Sequence, residues 1–198
     1  MKNKKNIYQG IKFNVEINKK EINHYHLKEL NSYCKIFHKN SLAPSYSGGS
    51  YGNLSFRKKN LKNEFIITPS NSCLGNLENK DFVKITDFNL EKKKIFCDGL
   101  RTPSSETILH YFIYKKRPEI NAIFHGHSKK ILDYSEKKNI ISTKNEIPYG
   151  TIELVDATLK ILEDNYFFIL KNHGFFSIGK SMKKAWKITN EIMKQIKD

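Results

Sequence analysis

Cysteines, acidic residues and long apolar runs are all scarce in this chain of 198 residues, and each shortage excludes a class of protein. The three cysteines, Cys34, Cys73 and Cys97, are odd in number and widely spaced, which argues against a disulfide framework and for a reducing compartment. No apolar stretch approaches the roughly 18 to 20 residues that span a bilayer, and the basic N-terminus lacks the apolar core of a signal peptide. We therefore expect a soluble cytoplasmic protein with no membrane partner.

The shortage of acidic residues leaves a strongly basic chain, with 35 Lys and Arg against 20 Asp and Glu and a formal net charge of +15. Such a field favours polyanions or phosphorylated metabolites. The lysines are scattered in short runs and form no basic helix or aromatic-basic repeat, so nucleic-acid binding is the weaker interpretation. A hydrophobic fraction of 38% is that of a folded protein. The length predicts one domain over residues 1–198, in which residues 1–20 could form a peripheral segment.

The apolar pattern predicts helices and short strands that pervade the chain. The clearest helix opens at Ser104 or Ser105 as N-cap, has Glu106 in its first turn and stops before Pro118. Strands this closely spaced favour antiparallel hairpins, and we expect one mixed sheet covered by helices on both faces. Strands are predicted at 54–57, 64–68, 82–86, 94–97, 122–127, 166–170 and 175–178, and helices at 21–39, 104–117, 128–139, 151–163 and 181–197.

Two histidines at the end of the predicted strand 122–127 are the strongest functional signal. Side chains two residues apart on a strand point to the same face, so His125 and His127 face one space. His173 follows the apolar run 166–170 and could supply a third imidazole. Three imidazoles with one coordination position left open are typical of catalytic rather than structural zinc. The pattern therefore predicts a metal-dependent enzyme.

The remaining histidines provide an internal comparison. His24 and His26 have the same spacing but lie in the predicted helix 21–39, where residues two apart diverge by about 200° and cannot chelate one ion. We assign them, with His38, to a solvated helix face. His110 is assigned to the interior or flank of another helix.

Four pieces of sequence occur in order. They are the Gly/Ser loop that ends in Gly52-Asn53-Leu54-Ser55, the turn Thr68-Pro69-Ser70, the helix start Pro103-Ser104-Ser105-Glu106-Thr107, and the three histidines. From about Glu21 to the C-terminus, this order resembles the class II (zinc) aldolase and adducin head-domain family, which includes sugar-phosphate aldolases, epimerases and dehydratases. The resemblance implies a three-layer α/β/α sandwich with a central mixed, largely antiparallel sheet, and assembly as a homotetramer.

The resemblance also implies a reaction: a lyase that cleaves or forms a carbon–carbon bond in a phosphorylated hydroxyketone or sugar phosphate through a metal-stabilised enediolate. In this interpretation Zn²⁺, or another divalent transition metal, is held by His125, His127 and His173, and Glu106 is the acid/base. The residues implied in binding the substrate phosphate are Ser50, Gly52, Asn53, Thr68, Ser70, Ser104 and Ser105. An epimerase or dehydratase would use the same type of intermediate, and a non-catalytic adducin-like interaction module is the alternative from another class.

Each piece also has a simpler interpretation. The phosphate segments could be ordinary loops and a helix N-cap, and Glu106 could be only a first-turn acid that interacts with the helix dipole. Asn71 stands where the family usually has glycine, which weakens the phosphate assignment at that turn. Gly126 replaces the commoner threonine or alanine between the histidines, which leaves more room over the metal, so the substrate could differ from the familiar sugars.

The proton donor cannot be aligned, because the segment 128–172 is shorter than in the sugar-phosphate aldolases and epimerases. Asp133, Tyr134 and Tyr149 are candidates. An exposed helix acid and two packing tyrosines are the favoured interpretation of these three.

Overall fold

A computed structural model describes residues 13–58 and 63–197 of the chain. The structure alternates short strands with helices, and two single-turn 3₁₀ helices at Leu74–Asn76 and Asn79–Asp81 connect β5 to β6. The strands and helices are β1 Asn14–Asn18, α1 Leu27–Lys39, β2 Ser45–Tyr46, β3 Gly49–Ser50, β4 Asn53–Phe56, β5 Phe65–Ile67, β6 Val83–Asn89, β7 Lys94–Asp98, α2 Thr107–Lys116, β8 Ala122–Gly126, α3 Lys129–Lys137, α4 Ile152–Leu162, β9 Phe167–Leu170, β10 Gly174–Gly179 and α5 Met182–Lys197.

Eight of these strands form one sheet in the order β1-β7-β6-β5-β4-β8-β10-β9. The edge strand β1 pairs with β7 in parallel, and the other neighbouring pairs are antiparallel. β2 and β3 form a separate small hairpin immediately before β4. The predicted mixed, largely antiparallel sheet is therefore confirmed. It places β4 and β8, the two strands with the sequence signals for function, next to each other at its centre.

Helices cover both faces of this sheet. Successive side chains of a strand point to opposite faces, and both faces carry apolar side chains that the helices bury. On β8, Phe124 packs with the buried residues of α1, α3 and α5, whereas Ile123 packs with those of α2 and α4. Both side chains are fully buried, and each contributes about 1.5 to 3 kcal/mol of burial free energy. The expected three-layer α/β/α sandwich is confirmed. Among the described residues, no helix is both long and apolar enough to cross a bilayer.

The predicted helix 21–39 is too long at its N-terminal end. α1 begins at Leu27, so His24 and His26 precede the helix, and their assignment to a helix face is wrong. The backbone N–H of His26 donates to His24 Nδ1 at 3.1 Å, a local side-chain hydrogen bond of the kind that competes with helix formation. His24 packs on the Phe56 ring, with 5.0 Å between ring centroids. His38 does lie on the exposed last turn of α1, as expected.

Candidate metal centre and active site

The first two candidate ligands lie at the end of the central strand β8. His125 is paired across the sheet with Asn53 of β4 and with Phe176 of β10, and His127 follows directly after the last residue of the strand. The two imidazoles turn to the same side, as the two-residue period predicts, and their Nε2 atoms are 3.0 Å apart. The ring of Tyr51 stacks on His127 with 5.1 Å between centroids.

The third imidazole comes from the hairpin that joins β9 to β10. Leu170 pairs with Gly174 across this hairpin, and the turn between them contains Asn172 in the left-handed conformation, with φ 56°. This turn directs His173 towards His125 and His127, with centroid distances of 5.1 and 5.0 Å, close to the 4.7 Å between those two rings. Three imidazoles from two distant parts of the sequence therefore form one nearly equilateral group.

Glu106 completes this group from the start of α2. Its Oε2 atom lies 3.1 Å from His125 Nε2, and its Oε1 atom lies 3.3 Å from His173 Nε2. Asn53 Nδ2 donates to Oε2 at 2.7 Å and so fixes the carboxylate. The ligand atoms of Glu106 and the three histidines all lie within 4.8 Å of one another.

The start of α2 differs from the prediction. The helix begins at Thr107 and Glu106 occupies the N-cap position, so the assignments of a serine N-cap and of a first-turn Glu106 are wrong. The Glu106 carboxylate makes no capping bond, because it is turned towards the imidazoles. Ser104 Oγ instead accepts from the Glu106 N–H at 3.3 Å. The interpretation of Glu106 as only a dipole-stabilising acid does not account for this orientation.

The protonation states at the site suit a cation. Burial by itself would raise the pKa of Glu106, but the neighbouring imidazoles of His125, His173 and His127 hold that pKa well below its usual range. Burial lowers the pKa of His127 well below its usual value, and the neighbouring imidazoles lower it further. Burial likewise lowers the pKa of His173. A carboxylate and neutral imidazoles are the protonation states that coordinate metals.

The neighbours of the ligands also fit a metal site. His125 Nδ1 lies 2.9 Å from the carbonyl oxygen of Phe175, which can only accept, so Nδ1 carries the proton and Nε2 presents its lone pair to the site. Among the described residues, Glu106 Oε1 is buried without a hydrogen-bond partner. Three nitrogens and one carboxylate oxygen are a donor set typical of Zn²⁺ and neighbouring divalent metals. These residues therefore form a potential site for a divalent metal.

Gly174, which follows the candidate ligand His173, was assigned no role from the sequence. A Cβ added to Gly174 would lie 2.5 Å from the Gly126 carbonyl oxygen and 2.7 Å from His125 Cε1. A side chain there would force the Gly126 backbone or the His125 ring to shift. The pair His173-Gly174 gives a signal only after the close packing of β10 against β8 is known.

The three segments predicted to bind phosphate meet beside Glu106. The N–H of Ser70 donates to the Thr102 carbonyl at 2.9 Å, and the N–H of Ser104 donates to the Thr68 carbonyl at 3.1 Å. The N–H of Ser50 donates to a carbonyl in the same turn, that of Ser72, at 3.1 Å. The structure therefore brings the loop, the turn and the helix start together.

Several of the predicted phosphate residues also have partners inside the protein. Thr68 Oγ1 accepts from the Leu54 N–H, Ser50 Oγ accepts from the Leu74 N–H, Ser104 Oγ accepts from Glu106, and Asn53 binds the Glu106 carboxylate. Gly52 has φ +82°, and a Cβ there would lie 2.7 Å from the His125 carbonyl oxygen, so a close approach to β8 requires this glycine. Ser70 and Ser105 are half-buried.

Asn71 retains the conformation that glycine provides. Its φ is 49°, in the left-handed region that asparagine tolerates better than most residues. The substitution for the family's usual glycine therefore leaves the turn intact. Arg101, which the sequence interpretation did not select, donates from Nη2 to the Asn71 carbonyl at 3.2 Å and places a cation beside this turn.

The three candidate proton donors have other partners. Asp133 pairs with Lys129 at 2.8 Å on the exposed surface of α3, the Tyr134 hydroxyl donates to Gln195 at 2.7 Å, and Tyr149 packs against the apolar core under α2 and α4. These positions agree with the interpretation as an exposed acid and packing tyrosines. Tyr51, which is 48% exposed, contacts the candidate metal ligand His127.

Comparison with known proteins gives the family. The Class II Aldolase and Adducin N-terminal domain family matches residues 28–197. The chain belongs to the class II aldolase and adducin family. An L-fuculose phosphate aldolase of Methanococcus maripaludis (strain C5) is 32% identical over 182 residues, which cover 84% of this chain and 92% of that protein. An L-fuculose phosphate aldolase of Methanocaldococcus jannaschii is 35% identical over 156 residues, which cover 71% and 79%.

More distant relatives in the class II aldolase family include an enzyme named for a different reaction. A 3-oxo-tetronate 4-phosphate decarboxylase of Escherichia coli is 28% identical and covers 71% of each chain. A solved L-fuculose 1-phosphate aldolase superposes with a TM-score of 0.70 at 24% identity and covers 89% of this chain and 85% of its own, which shows the fold. The predicted family and the predicted aldolase-type lyase activity are confirmed at the level of the family.

Proposed function

We propose that this class II aldolase family member is a zinc-dependent lyase that cleaves or forms a carbon–carbon bond in a small phosphorylated hydroxyketone or sugar phosphate. The observation that carries the proposal is the convergence of the imidazoles of His125, His127 and His173 with the Glu106 carboxylate. The names of the relatives, L-fuculose phosphate aldolases, support a phosphorylated sugar as the substrate.

The three imidazoles would hold the ion, and Glu106 would lie beside it. A bound Zn²⁺ would act as a Lewis acid and stabilise the negative charge that develops on the oxygens of the hydroxyketone. His125 is oriented for this role by its hydrogen bond to the Phe175 carbonyl. Another divalent transition metal could use the same ligands.

Glu106 is proposed as the acid/base. Its low pKa keeps it ionised and able to accept a proton, and the 2.7 Å hydrogen bond from Asn53 holds its Oε2 atom in place. It would accept a proton from the substrate and return it in the reverse direction. Because the carboxylate is buried, bulk water would not compete for that proton.

The substrate phosphate is proposed to bind where the loop, the turn and the helix start meet. The residues are Ser50, Gly52, Asn53, Thr68, Ser70, Ser104 and Ser105. The N-terminus of α2 adds its partial positive charge where these segments meet, and the net charge of +15 would attract an anionic substrate. The internal bonds of Ser50, Thr68 and Ser104 favour a rigid pocket in which Ser70 and Ser105 have the most freedom to contact phosphate.

A decarboxylase, dehydratase or epimerase acting on the same site is the second candidate. It is favoured by the similarity to a sugar-acid phosphate decarboxylase. We also propose that residues 1–198 form one domain that assembles as a cytoplasmic homotetramer, which the family resemblance and the composition support.

The direct test combines metal analysis with a substrate screen. Purified protein is expected to contain one Zn²⁺ per chain and to cleave L-fuculose 1-phosphate or another ketose 1-phosphate, with loss of turnover on chelation and recovery on adding Zn²⁺. His125→Ala should lose the metal, whereas His38→Ala, at an exposed histidine on α1, should keep it. A metal-free wild-type protein whose properties are the same as those of His125→Ala would overturn the proposal.

A folded protein that retains the metal but leaves every ketose phosphate unchanged would instead point to an interaction module. Nucleic-acid binding that falls steeply with salt would support the basic-protein alternative.

A further inference from the structure

A line of polar contacts runs through the core between β4 and α2. Every second residue of β4 and every fourth residue of α2 contribute to it, in keeping with the periods of a strand and a helix. The first contact is the Asn53–Glu106 hydrogen bond at the metal site. Beyond it, Ser55 Oγ lies 2.7 Å from His110 Nδ1 and 2.8 Å from the Tyr114 hydroxyl. We call Ser55, His110 and Tyr114 the β4–α2 polar cluster.

The polar cluster is buried among apolar side chains. Ser55 and His110 are 0% exposed and Tyr114 is 1% exposed. Polar groups in such surroundings are costly unless they are paired, so a helix that shifted along β4 would leave Ser55 Oγ, His110 Nδ1 and the Tyr114 hydroxyl without partners, as His110 Nε2 already is among the described residues. An all-apolar contact would tolerate small shifts. The cluster therefore selects one position of α2 along the strand.

The far end of α2 is held to the same strand. The Arg57 guanidinium lies 4.5 Å from the centre of the Tyr114 ring. Its Nε donates to the Ile120 carbonyl at 2.8 Å, and its Nη2 donates to the carbonyls of Arg117 and Pro118 at 3.1 and 2.9 Å. These bonds cover the carbonyls that follow the last turn of α2. The helix is thus fixed at its middle by Ser55 of β4 and at its C-terminal end by Arg57, the residue that follows β4.

The N-terminal end of α2 presents Glu106 to the histidines. A helix is stiff along its axis, with a rise of about 1.5 Å per residue, so a shift at Tyr114 is transmitted to Glu106. The Glu106 carboxylate is 3.1 Å from His125 and 3.3 Å from His173, distances that such a shift would change.

We propose that Ser55, His110 and Tyr114 are positioning residues for the reaction. They fix α2 along β4 and thereby hold the Glu106 carboxylate against the candidate metal ligands. The inference rests on the proposed function for its kinetic part, and on metal binding at the candidate site for its spectroscopic part.

The deciding variant is Ser55→Ala, which removes one hydroxyl shared by His110 and Tyr114. Ser177→Ala is the matched control, because Ser177 is also 0% exposed and also joins a strand of this sheet to a helix, donating to the Ala185 carbonyl at 2.6 Å on the opposite face. The proteins are loaded with Co²⁺, and the visible absorption spectrum reports the geometry around the ion without substrate.

Ser55→Ala is expected to change the Co²⁺ spectrum and to lower kcat for L-fuculose 1-phosphate about ten-fold, with KM little changed, because a small misplacement of a catalytic group slows the chemical step. Ser177→Ala is expected to keep the wild-type spectrum and kcat while losing a similar amount of thermal stability. His110→Asn places an amide at the level of Nδ1 and should recover the wild-type spectrum better than His110→Leu.

The proposal is overturned if Ser55→Ala keeps the wild-type spectrum and kcat while its loss of stability matches that of Ser177→Ala, because the cluster would then serve packing only. If Ser55→Ala does not fold, Tyr114→Phe gives the same decision, since it keeps the ring next to Arg57 and removes only the hydroxyl. If the wild type binds Co²⁺ but turns over no sugar phosphate, the spectra still decide this proposal while the proposed function fails. A wild type that binds no Co²⁺ overturns both.

Discussion

Individual residues at the site are oriented by partners that are themselves part of the fold. The Phe175 carbonyl sets the tautomer of His125, and Asn53 fixes one oxygen of the Glu106 carboxylate. Both partners are supplied by the neighbours of β8 in the sheet, β10 on one side and β4 on the other. His125 is therefore placed by the sheet itself, whereas His127 directly follows β8, Glu106 directly precedes α2 and His173 lies in the β9–β10 hairpin.

Glu106→Gln separates the proposed acid/base role from ligand binding. Glutamine is nearly isosteric and keeps an oxygen that can face the imidazoles, but it cannot accept a proton from the substrate. We expect the variant to fold and to retain at least part of its Zn²⁺, while turnover falls by about 10²- to 10⁴-fold, the usual contribution of general acid–base catalysis. Metal content and kcat are measured on the same preparation.

The exposed Glu136 of α3 provides the control, since Glu136→Gln makes the same chemical change on the surface and should leave kcat unchanged. Wild-type turnover in Glu106→Gln would assign the acid/base role to another group.

Single elements were predictable where the pattern is local and strong. The apolar run 122–124 followed by His125-Gly126-His127 predicts β8 and the common direction of the two histidines, because a strand has one fixed period. The start of α1 was misplaced, because the apolar pattern of 21–39 does not show that the His26 N–H bonds to His24 Nδ1 before the helix begins. The N-cap of α2 was misplaced for a tertiary reason: the Glu106 carboxylate has better partners in the histidines than in its own helix.

The packing of α2 on β4 is expected to weaken in acid through His110. Burial lowers the pKa of this histidine to about 3, against 6.5 in the unfolded chain. Between these values the unfolded chain binds a proton that the folded protein does not, so stability is fully present above pH 6.5 and is lost as the pH falls towards 3. His110→Asn removes this group in both states. Its urea midpoint should therefore depend less on pH between 7 and 4 than that of the wild type.

The comparison is made on chelated protein, so that loss of a metal at low pH does not contribute. Parallel pH profiles for the wild type and His110→Asn would show that His110 is not the group responsible. Substitution of the exposed His38 by Asn should leave the wild-type profile unchanged.

Contacts between distant segments of the molecule are the part of the site that could not be predicted from the sequence. The order of the loop, turn, helix and histidine motifs was sufficient for the family and the fold, and it selected Glu106, His125, His127 and His173, which the structure brings together. The contribution of Gly174, Tyr51 and Arg101 could not be predicted, because each contact joins segments that are distant in sequence and adjacent only after the sheet has formed. The β4–α2 polar cluster could not be predicted either, since nothing in a single sequence indicates that Ser55 and His110 are in contact.

Metal binding should stabilise the entire sheet, because the three imidazoles belong to β8, to the segment after it and to the β9–β10 hairpin, and Glu106 beside them belongs to the start of α2. An ion that binds the folded state and not the unfolded chain adds RT ln(1 + [M]/Kd), about 2.7 kcal/mol at a free concentration one hundred times Kd. We expect chelation to lower the urea midpoint of the wild type, and re-addition of Zn²⁺ to restore it. In His127→Ala, the same additions should produce little change, because one ligand is missing and the remaining site binds more weakly. A wild-type midpoint that is the same with chelator and with Zn²⁺ would show that this cluster does not bind the metal in the folded protein.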